Sequence, residues 1–316
     1  MIQAILKAIN EGSRFLVASH GNPDGDALAS TMALTLALRE MGKDAVAYNG
    51  DSVTSEMAFL PCVDTLVTEL NQNERFDAGF ILDSGELRRA GLHLAQHCEM
   101  LVNIDHHPHS ERFGSIHFVD ETACATGALI YRILKVGKHE ISTPVATCLY
   151  TAILADTGSF RYSNANPEAF RIAADLVERG ISPWEVASNL YENRPEKRVR
   201  LLARALQTLT VSNCGRYGSI SVTEDMFEET GAEEEHTDGF INYPRSIQGV
   251  EVALFFRQIS QKEFKIGFRS KGRVDVGQLA RELGGGGHHN AAGATMKGLL
   301  EDVRQAVFSR LDGMSF

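Results

Sequence analysis

Cysteine is scarce in this sequence, and the few cysteines that occur are scattered. The 316 residues include five of them, and they form no CxxC pair. An odd, dispersed set argues against a disulfide framework and against a zinc site built from thiolates. The sequence therefore favours a reducing, cytoplasmic setting and a site chemistry that uses other ligands.

Long apolar runs and an excess of positive charge are also missing. No stretch approaches the roughly 20 apolar residues of a membrane-spanning helix, so no membrane partner is expected. The first 15 residues predict an amphipathic helix and carry no small-residue cleavage site of a signal peptide. The net charge of −10 disfavours long duplex DNA or RNA as a partner, because such binding needs many Lys and Arg side chains. A small anionic ligand remains compatible, because bound metal ions would reverse the local field.

What the chain does have is a regular alternation of short apolar runs and helical patterns. Over residues 1–192 this alternation predicts an α/β domain with a parallel sheet. The predicted strands are 14–19, 44–48, 78–82, 100–104 and 115–119. The predicted helices are 27–41, 126–136, 144–154, 167–179 and 183–190.

The pattern changes at residues 193–210, which predict a basic amphipathic helix that links two domains. Residues 211–316 then predict a smaller α/β domain. Its predicted strands are 217–223, 250–258 and 263–269, and its predicted helices, 274–283 and 299–311, flank a glycine run at 284–287. We expect a flexible linker to let a cleft between the two domains open and close.

The first polar motif is His-Gly-Asn-Pro-Asp-Gly-Asp at residues 20–26, between a predicted strand and a predicted helix. Ligands collect at the carboxyl ends of parallel strands. Two carboxylates that lie close together in a loop, Asp24 and Asp26, favour a bound cation. A turn that caps the following helix is the alternative, because these residue types suit it as well.

Three more acidic or histidine motifs follow elements of the same domain. Asp83 ends an apolar strand and, taken alone, favours a cap or turn. Asp105, His106 and His107 end the next strand, where neighbouring side chains point in different directions, so that one imidazole ligates a metal and the other faces substrate. Asp156 follows a predicted helix, where a carboxylate opposes the helix dipole. Oxygen and nitrogen ligands without thiolate suit manganese, iron or cobalt, with magnesium as a further candidate.

These motifs resemble those of the DHH phosphoesterase family and of its DHH-associated C-terminal domain. The matching segments are HGNPDGD (20–26), LDSG (82–85), DHH (105–107), LADTGSF (154–160) and GGGHHNAAG (285–293). They occur in the expected order and span essentially the whole chain. The resemblance implies two divalent metal ions, manganese first among the candidates, that share Asp83 as a bridge.

The resemblance also implies a division of roles among the site residues. One metal ion would be held by His20, Asp24 and Asp83, and the other by Asp26, Asp83, His106 and Asp156. Asp105 would support the ligands from behind, and His107 would face the scissile phosphate. The two ions would activate a bridging water, and His107 would stabilise phosphoryl charge or protonate the leaving group.

Within the family, a two-domain chain of this length is similar to the oligoribonucleases that degrade nanoRNA and also act as pAp phosphatases. The implied substrates are short RNA or DNA oligonucleotides, pApA and pAp, and a homodimer fits the family. Three alternatives stay open: a phosphodiesterase for cyclic di-AMP, an exopolyphosphatase-like enzyme of inorganic phosphate chemistry, and a nucleotide sensor without catalysis.

The second domain carries the predicted substrate contacts. Between residues 257 and 273, basic residues outnumber acidic ones six to one, which is informative in so acidic a chain. Arg269 is the predicted phosphate clamp and Arg257 a second one, because guanidinium grips phosphate in a bidentate fork. Gly286 and Gly287 predict backbone that approaches a ligand, and the family pattern makes His288 a phosphate contact.

Two aromatic residues, Phe240 and Tyr243, are candidates for stacking on a base, although an aromatic residue here is more often part of the core. If the second domain binds the far end of the substrate at a fixed distance from the metal ions, only short substrates are expected to fit. These are dinucleotides, oligonucleotides a few residues longer, or pAp.

Overall fold

The strands of the first unit are apolar runs, as expected for a parallel sheet covered on both faces. A computed structural model describes residues 1–314, which divide into two units between Asn193 and Arg194. The strands of the first unit are β1 (Arg14–Ser19), β2 (Asp44–Tyr48), β3 (Ala78–Leu82), β4 (Leu101–Asp105) and β5 (Ile116–Val119). All pairs are parallel, in the order β2-β1-β3-β4-β5. The chain leaves β1 to one side and returns to the other, so a topological switch point lies between β1 and β3.

The helices of the first unit cover this sheet. They are α1 (Ile2–Glu11), α2 (Gly25–Glu40), α3 (Leu87–Ala90), α4 (Thr126–Val136), α5 (Thr143–Asp156), α6 (Pro167–Glu178) and α7 (Pro183–Tyr191). Helices α2 and α5 pack against each other and are buried along most of their length. Proline occupies the first turn of α5, α6 and α7, as predicted, where its missing N–H leaves no hydrogen bond unmade. The predicted strands and long helices of this unit are confirmed to within two residues at each end.

The second unit contains a mixed sheet. Its strands are β6 (Thr210–Val211), β7 (Tyr217–Val222), β8 (Val252–Ser260), β9 (Glu263–Ser270), β10 (Gly286–His288) and β11 (Ala291–Lys297), in the order β10-β11-β9-β8-β7-β6. Only β7 and β8 run parallel to each other among these described strands. Its helices are α8 (Glu196–Gln207), α9 (Glu224–Thr230), α10 (Asn242–Arg245), α11 (Val276–Glu282) and α12 (Leu300–Asp312).

The second unit contains three elements that the sequence did not predict, β6, α9 and α10. Two further differences concern the linker helix and the glycine run. The predicted linker helix is α8, which lies within the second unit and packs its Leu201 and Ala205 with Ile220 and Phe240. The glycine run, for which the sequence predicted no strand, continues into a hairpin of β10 and β11. This hairpin consists mainly of glycine and alanine, which are poor strand formers, so its sequence carries no strand signal.

Two findings concern the described chain as a whole. Within residues 1–314, no helix combines the length and the apolar character that a bilayer span requires. All five cysteines are free thiols, and Cys124 and Cys148 are buried. The thiols take no part in the acidic and histidine clusters of the first unit.

Candidate metal centre and substrate-binding face

The predicted metal ligands converge at the carboxyl edge of the parallel sheet, on both sides of its switch point. His20 follows β1, Asp83 follows β3, and His106 follows β4. Asp26 lies in the first turn of α2, and Asp156 is the last residue of α5. The carboxyl edge next to a switch point is where ligands bind in open α/β sheets.

Asp83 occupies the centre of this cluster. Its side chain is buried, and its backbone adopts a left-handed conformation with φ +53° while its N–H donates to the Ile104 carbonyl over 3.0 Å. Such a conformation costs about 1–3 kcal/mol outside glycine. One carboxylate oxygen lies 3.7 Å from His20 Nε2, and the other lies 3.5 Å from His106 Nε2. Asp83 therefore reaches toward both imidazoles at once.

The potential ligand atoms form groups whose members lie within 4.8 Å of one another. The groups are His20, Asp24 and Asp83; Asp26, His106 and Asp156; and Asp83, His106 and His107. The first two correspond to the two predicted metal sites, and the 3.5 Å approach of Asp83 to His106 joins them. Every predicted ligand is therefore part of one connected cluster.

The hydrogen bonds of the two imidazoles suit metal ligation. Nδ1 of His20 lies 2.9 Å from the Gly21 carbonyl, and Nδ1 of His106 lies 3.2 Å from the Ala123 carbonyl. A carbonyl accepts only from a protonated ring nitrogen, so the proton resides on Nδ1 in both rings. Nε2 then offers its lone pair to the cluster, as in neutral histidine ligands oriented by a backbone partner.

The Asp26 carboxylate accepts hydrogen bonds from the start of α4 and from its own helix, α2. It accepts from the backbone N–H groups of Thr126 (2.6 Å) and Gly127 (3.0 Å) at the start of α4, and from Ser30 Oγ (2.8 Å) within α2. A carboxylate at a helix N-terminus is stabilised by the helix dipole. Asp24, in turn, caps α2 by accepting from the Ala27 N–H over 3.0 Å. The predicted capping role therefore belongs to Asp24, which also belongs to a ligand group.

The charges of the cluster call for a cation. Burial, followed by the negative charges of Asp83 and Asp156, raises the pKa of Asp26 well above its usual value. Burial likewise raises the pKa of Asp156 to about 6. For Asp83, burial is outweighed by the neighbouring imidazoles, and the pKa is lowered. Crowded, buried carboxylates and imidazoles without a thiolate form a donor set that fits divalent cations.

His107 is oriented by Asp105. The fully buried Asp105 carboxylate accepts from His107 Nδ1 and from the His106 backbone N–H, both over 2.9 Å. This hydrogen bond is the main reason that the pKa of His107 is raised to about 9. His107 is half-exposed, and its Nε2 makes no hydrogen bond within the described residues. Its Nδ1 also lies 3.6 Å from Asp83, which brings His107 closer to the metal ligands than the sequence predicts.

Two asparagines that sequence reasoning missed hold the ligands in place. Asn164 donates from Nδ2 to the Asp156 carboxylate (3.0 Å) and to the Cys124 carbonyl (3.0 Å). The buried Asn49 donates to the His20 carbonyl (2.9 Å). The available signals were positional, because Asn49 follows strand β2 and Asn164 follows the LADTGSF segment.

A left-handed turn connects α5 to Asn164. Gly158, Ser159 and Phe160 all have positive φ, of 55°, 62° and 59°. A Cβ on Gly158 would lie 2.4 Å from the ring of Tyr162, so glycine is required there by both conformation and space. The turn reverses the chain directly after Asp156, and Asn164 then bonds back to that ligand.

The predicted substrate residues of the second unit share one face of its sheet. In β9, Phe264, Ile266 and Phe268 face the core, so Arg269 points to the opposite face. Arg269 is paired with Ala291 of β11, which is paired with His288 of β10. Directly paired residues point the same way, so Arg269 and His288 stand two strands apart, about 10 Å, with a small alanine between them.

The part of this sheet face next to Arg269 and His288 consists of glycines. Gly267, Gly293 and Gly286 are paired across three strands and point to the same face. Gly286 has open space where a Cβ would stand. Gly287 faces the other way, and a Cβ there would lie 2.5 Å from Ala292 Cα. Glycine is therefore required at Gly287 by hairpin packing.

Two of the predicted contacts are engaged elsewhere in the second unit. Arg257 shares the face of Arg269, but it is mostly buried and forms an ion pair with Glu234. Phe240 is fully buried in the core, so it is not available to stack on a base. Tyr243 is 44% exposed and remains available for that role.

Comparisons with known proteins agree with this geometry. A model of the DHH family's N-terminal domain matches residues 14–153, and a model of the DHHA1 domain matches residues 219–313. A Thermus thermophilus protein named bifunctional oligoribonuclease and PAP phosphatase NrnA is 35% identical, covering 97% of this chain and 90% of that protein. The chain belongs to the DHH family.

Other proteins are similar to this one along nearly the whole chain. A Bacillus subtilis protein, also named bifunctional oligoribonuclease and PAP phosphatase NrnA, is 26% identical over 92% of each chain. The crystal structure of an exopolyphosphatase-related protein from Bacteroides fragilis has a TM-score of 0.91 and 27% identity, covering 98% of this chain and 94% of that one. Helix α8 lies between the two matched domain ranges.

Proposed function

We propose that this chain is a metal-dependent phosphoesterase that hydrolyses short oligonucleotides, pApA and pAp to mononucleotides. The observation that carries the proposal is the buried cluster of carboxylates and imidazoles that is joined through Asp83. The two relatives named oligoribonuclease and PAP phosphatase support this substrate class. Hydrolysis adds water to phosphorus, breaks one P–O bond, and leaves a proton on the departing oxygen.

The ligands proposed for two divalent ions fall into two sets. His20, Asp24 and Asp83 hold one ion, and Asp26, Asp83, His106 and Asp156 hold the other. Manganese is the proposed metal, because mixed oxygen and nitrogen ligands without thiolate suit it. Bound there, the ions supply a water of lowered pKa and positive charge for the phosphoryl oxygens.

His107 is the proposed proton donor of the chain. Asp105 fixes its ring through Nδ1, so Nε2 is the atom that faces a substrate. In the metal-free chain the hydrogen bond to Asp105 raises the pKa of this imidazole to about 9, which favours its protonated form. It can then donate a hydrogen bond to a phosphoryl oxygen, or a proton to the leaving oxygen. Asp105 acts through His107 and positions it.

Arg269, His288 and the open backbone at Gly286 are the proposed substrate contacts of the second unit. They share one sheet face, which has a floor of glycine and alanine. In this proposal Gly287 shapes the hairpin that carries His288. Arg257 is proposed to line the edge of this face, where its charge is balanced by Glu234.

Three wider expectations belong to the same proposal. The net charge of −10 supports small nucleotides over long duplexes as partners. The free cysteines suit a cytoplasmic location. A homodimer is the proposed assembly, which size-exclusion chromatography with light scattering would test.

A manganese-dependent assay on a panel of substrates tests the function. The panel contains pApA, pAp, a 5′-labelled RNA dinucleotide, cyclic di-AMP and polyphosphate. We expect turnover of the first three. A preference for polyphosphate would replace the nucleotide proposal, and the Bacteroides fragilis relative described as exopolyphosphatase-related makes that substrate a necessary comparison. Tight nucleotide binding without any turnover would instead indicate a sensor.

A further inference from the structure

The loop between β1 and α2 carries His20 and Asp24, two of the three ligands proposed for one metal ion. The Asn22 N–H, midway between them, donates to the Asp51 carboxylate over 2.6 Å. The donor and the acceptor are 29 positions apart in the sequence, and Asp51 lies in the segment that follows β2. One side chain from outside the loop therefore fixes the loop backbone between the two ligands.

Asn22 has a strained backbone conformation. Its φ is +55°, and the next residue is Pro23. A residue before proline normally adopts an extended conformation, because the proline ring crowds its backbone. Positive φ outside glycine is costly and persists only where the surrounding structure enforces it. The side chain of Asn22 makes no hydrogen bond or ion pair within residues 1–314, so the bond from its N–H to Asp51 is the polar contact that holds it.

Asp51 is itself positioned by Asn49. The Asp51 N–H donates to Asn49 Oδ1 over 3.0 Å. Asn49 is fully buried, and its Nδ2 donates to the His20 carbonyl over 2.9 Å and to Ser19 Oγ over 3.1 Å. The amide of Asn49 thus connects the start of the ligand loop to the residue that holds its middle.

Gly21 leaves room for the Asp51 carboxylate. A Cβ at Gly21 would lie 3.1 Å from Asp51 Oδ2 and 3.4 Å from the Arg89 carbonyl oxygen. The Gly21 N–H donates to that same carbonyl over 2.7 Å. Arg89 belongs to α3, the first helix after Asp83, so the loop is also bonded to the segment that follows the third ligand of this ion.

The ligands of the other proposed ion have different supports. The Asp26 carboxylate accepts from the start of α4, and the Asp156 carboxylate accepts from Asn164. Within residues 1–314, neither Asp51 nor Asn49 makes a hydrogen bond with either of these carboxylates. The polar groups that hold the two ligand sets are therefore separate.

We propose that Asp51 is a positioning residue for one of the two metal ions, the ion assigned to His20, Asp24 and Asp83. By holding Asn22 at positive φ, Asp51 keeps His20 and Asp24 directed at the same ion. Without Asp51, Asn22 relaxes toward the extended conformation and these two ligands move apart. This inference rests on the proposed two-metal function and deepens it, because it gives one ion a support that the other ion does not share.

Manganese titration of the metal-free full chain tests the inference, with the free ion measured by electron paramagnetic resonance. We expect the wild-type chain to bind two ions. Asp51→Ala should bind one ion as the wild type does and the other about 10- to 100-fold more weakly, the usual effect of losing an outer partner of a ligand. Asp51→Asn keeps an oxygen acceptor for the Asn22 N–H and should retain most of the wild-type affinity.

Asp64→Ala is the matched control. It removes the same charge from an exposed residue whose carboxylate makes no hydrogen bond or ion pair within residues 1–314, so both ions should bind as in the wild type. Asn22→Gly, added to Asp51→Ala, should recover part of the lost affinity, because glycine adopts positive φ at little cost. A role of Asp51 through its charge alone would give no such recovery.

Asn164→Ala is the complementary variant, because Asn164 holds Asp156 of the other ligand set. Each single variant should keep one tightly bound ion, and the double variant of Asp51→Ala with Asn164→Ala should keep none. One tightly bound ion in the double variant would place both residues at the same ion and overturn the inference.

Equal manganese binding by Asp51→Ala and Asp64→Ala would also overturn it, as would a failure of Asn22→Gly to recover any affinity. The same preparations are assayed for pApA hydrolysis. Turnover by the wild type together with equal binding by those two variants would refute the positioning role and leave the enzyme standing. Selective loss of one ion in Asp51→Ala, without turnover by the wild type, would do the opposite. Fewer than two ions on the wild-type chain would refute both proposals.

Discussion

At the scale of single residues, the chemistry of the metal centre depends most on Asp83. Its two oxygens face His20 and His106 at 3.7 and 3.5 Å, so its removal affects both ligand groups. Asp83→Ala should therefore abolish activity, a loss of at least about a thousandfold. Steady-state hydrolysis of pApA measures the loss, and a variant that keeps most of its rate would refute the ligand assignment.

Asn164 is expected to act through Asp156. It donates to the Asp156 carboxylate over 3.0 Å, and loss of such an outer partner commonly costs 10- to 100-fold in metal affinity. Asn164→Ala should weaken manganese binding by about that factor in a titration of the metal-free chain. Asn166→Ala is the control, because Asn166 caps α6 and contacts no ligand. Equal manganese affinities of the two variants would contradict this role.

The convergence of the acidic and histidine residues was predictable from the sequence, because several of them follow the carboxyl ends of neighbouring parallel strands. Asn49 and Asn164 were not predictable, because an amide side chain is also common in ordinary turns and caps. Their roles depend on the carbonyls of His20 and Cys124, which only the folded chain brings within reach. The ion pair of Arg257 was not predictable either, since its partner Glu234 is distant in sequence and cannot be recognised from a local pattern.

At the scale of elements, the parallel sheet of the first unit was predictable and the glycine hairpin was not. Strands such as β3 are continuous apolar runs that are buried at every position. A short apolar run between turn residues is typical of a buried strand, so the sequence identifies it. In β10 and β11 the residues that pair are mostly glycine and alanine. The pairing of β10 with β11, and of β11 with β9, depends on contacts between residues that no local sequence pattern encodes.

The hairpin provides a matched pair of variants. A Cβ on Gly287 would lie 2.5 Å from Ala292 Cα, and φ is +141°, so Gly287→Ala should destabilise the second unit by about 1–3 kcal/mol. Gly286→Ala meets nothing within 4 Å and should leave stability unchanged while it raises KM for pApA, since it fills the open floor. Urea unfolding and steady-state kinetics separate the two. A destabilised Gly286→Ala, or a fully stable Gly287→Ala, would show that this account of the hairpin is wrong.

At the scale of the whole molecule, the metal-free chain should lose stability as pH rises. The folded state raises the pKa of Asp156 from 3.8 to about 6 and that of His107 from 6.5 to about 9. The folded chain therefore holds more protons than the unfolded chain between those values, so its free energy of unfolding falls as pH rises through them. Asp83 and Asp105, whose pKa values are lowered, change stability only in acid, below this window.

Manganese should offset that loss, because bound cations compensate the carboxylates. The rise in unfolding temperature that manganese gives over EDTA should therefore be larger at about pH 8 than at about pH 6. Thermal unfolding of the full chain under the four conditions measures it. A gain that stays constant or shrinks with pH would contradict the charge balance described for the cluster.

The central claim is that two metal ions held around Asp83 make this chain a nucleotide phosphoesterase. The most direct measurement is the rate of pApA hydrolysis by the metal-free chain as manganese is added in known molar ratios. The account predicts no turnover without metal and a rate that rises until about two ions are bound per chain. Hydrolysis without metal, or a rate that is complete after a single ion, would contradict it.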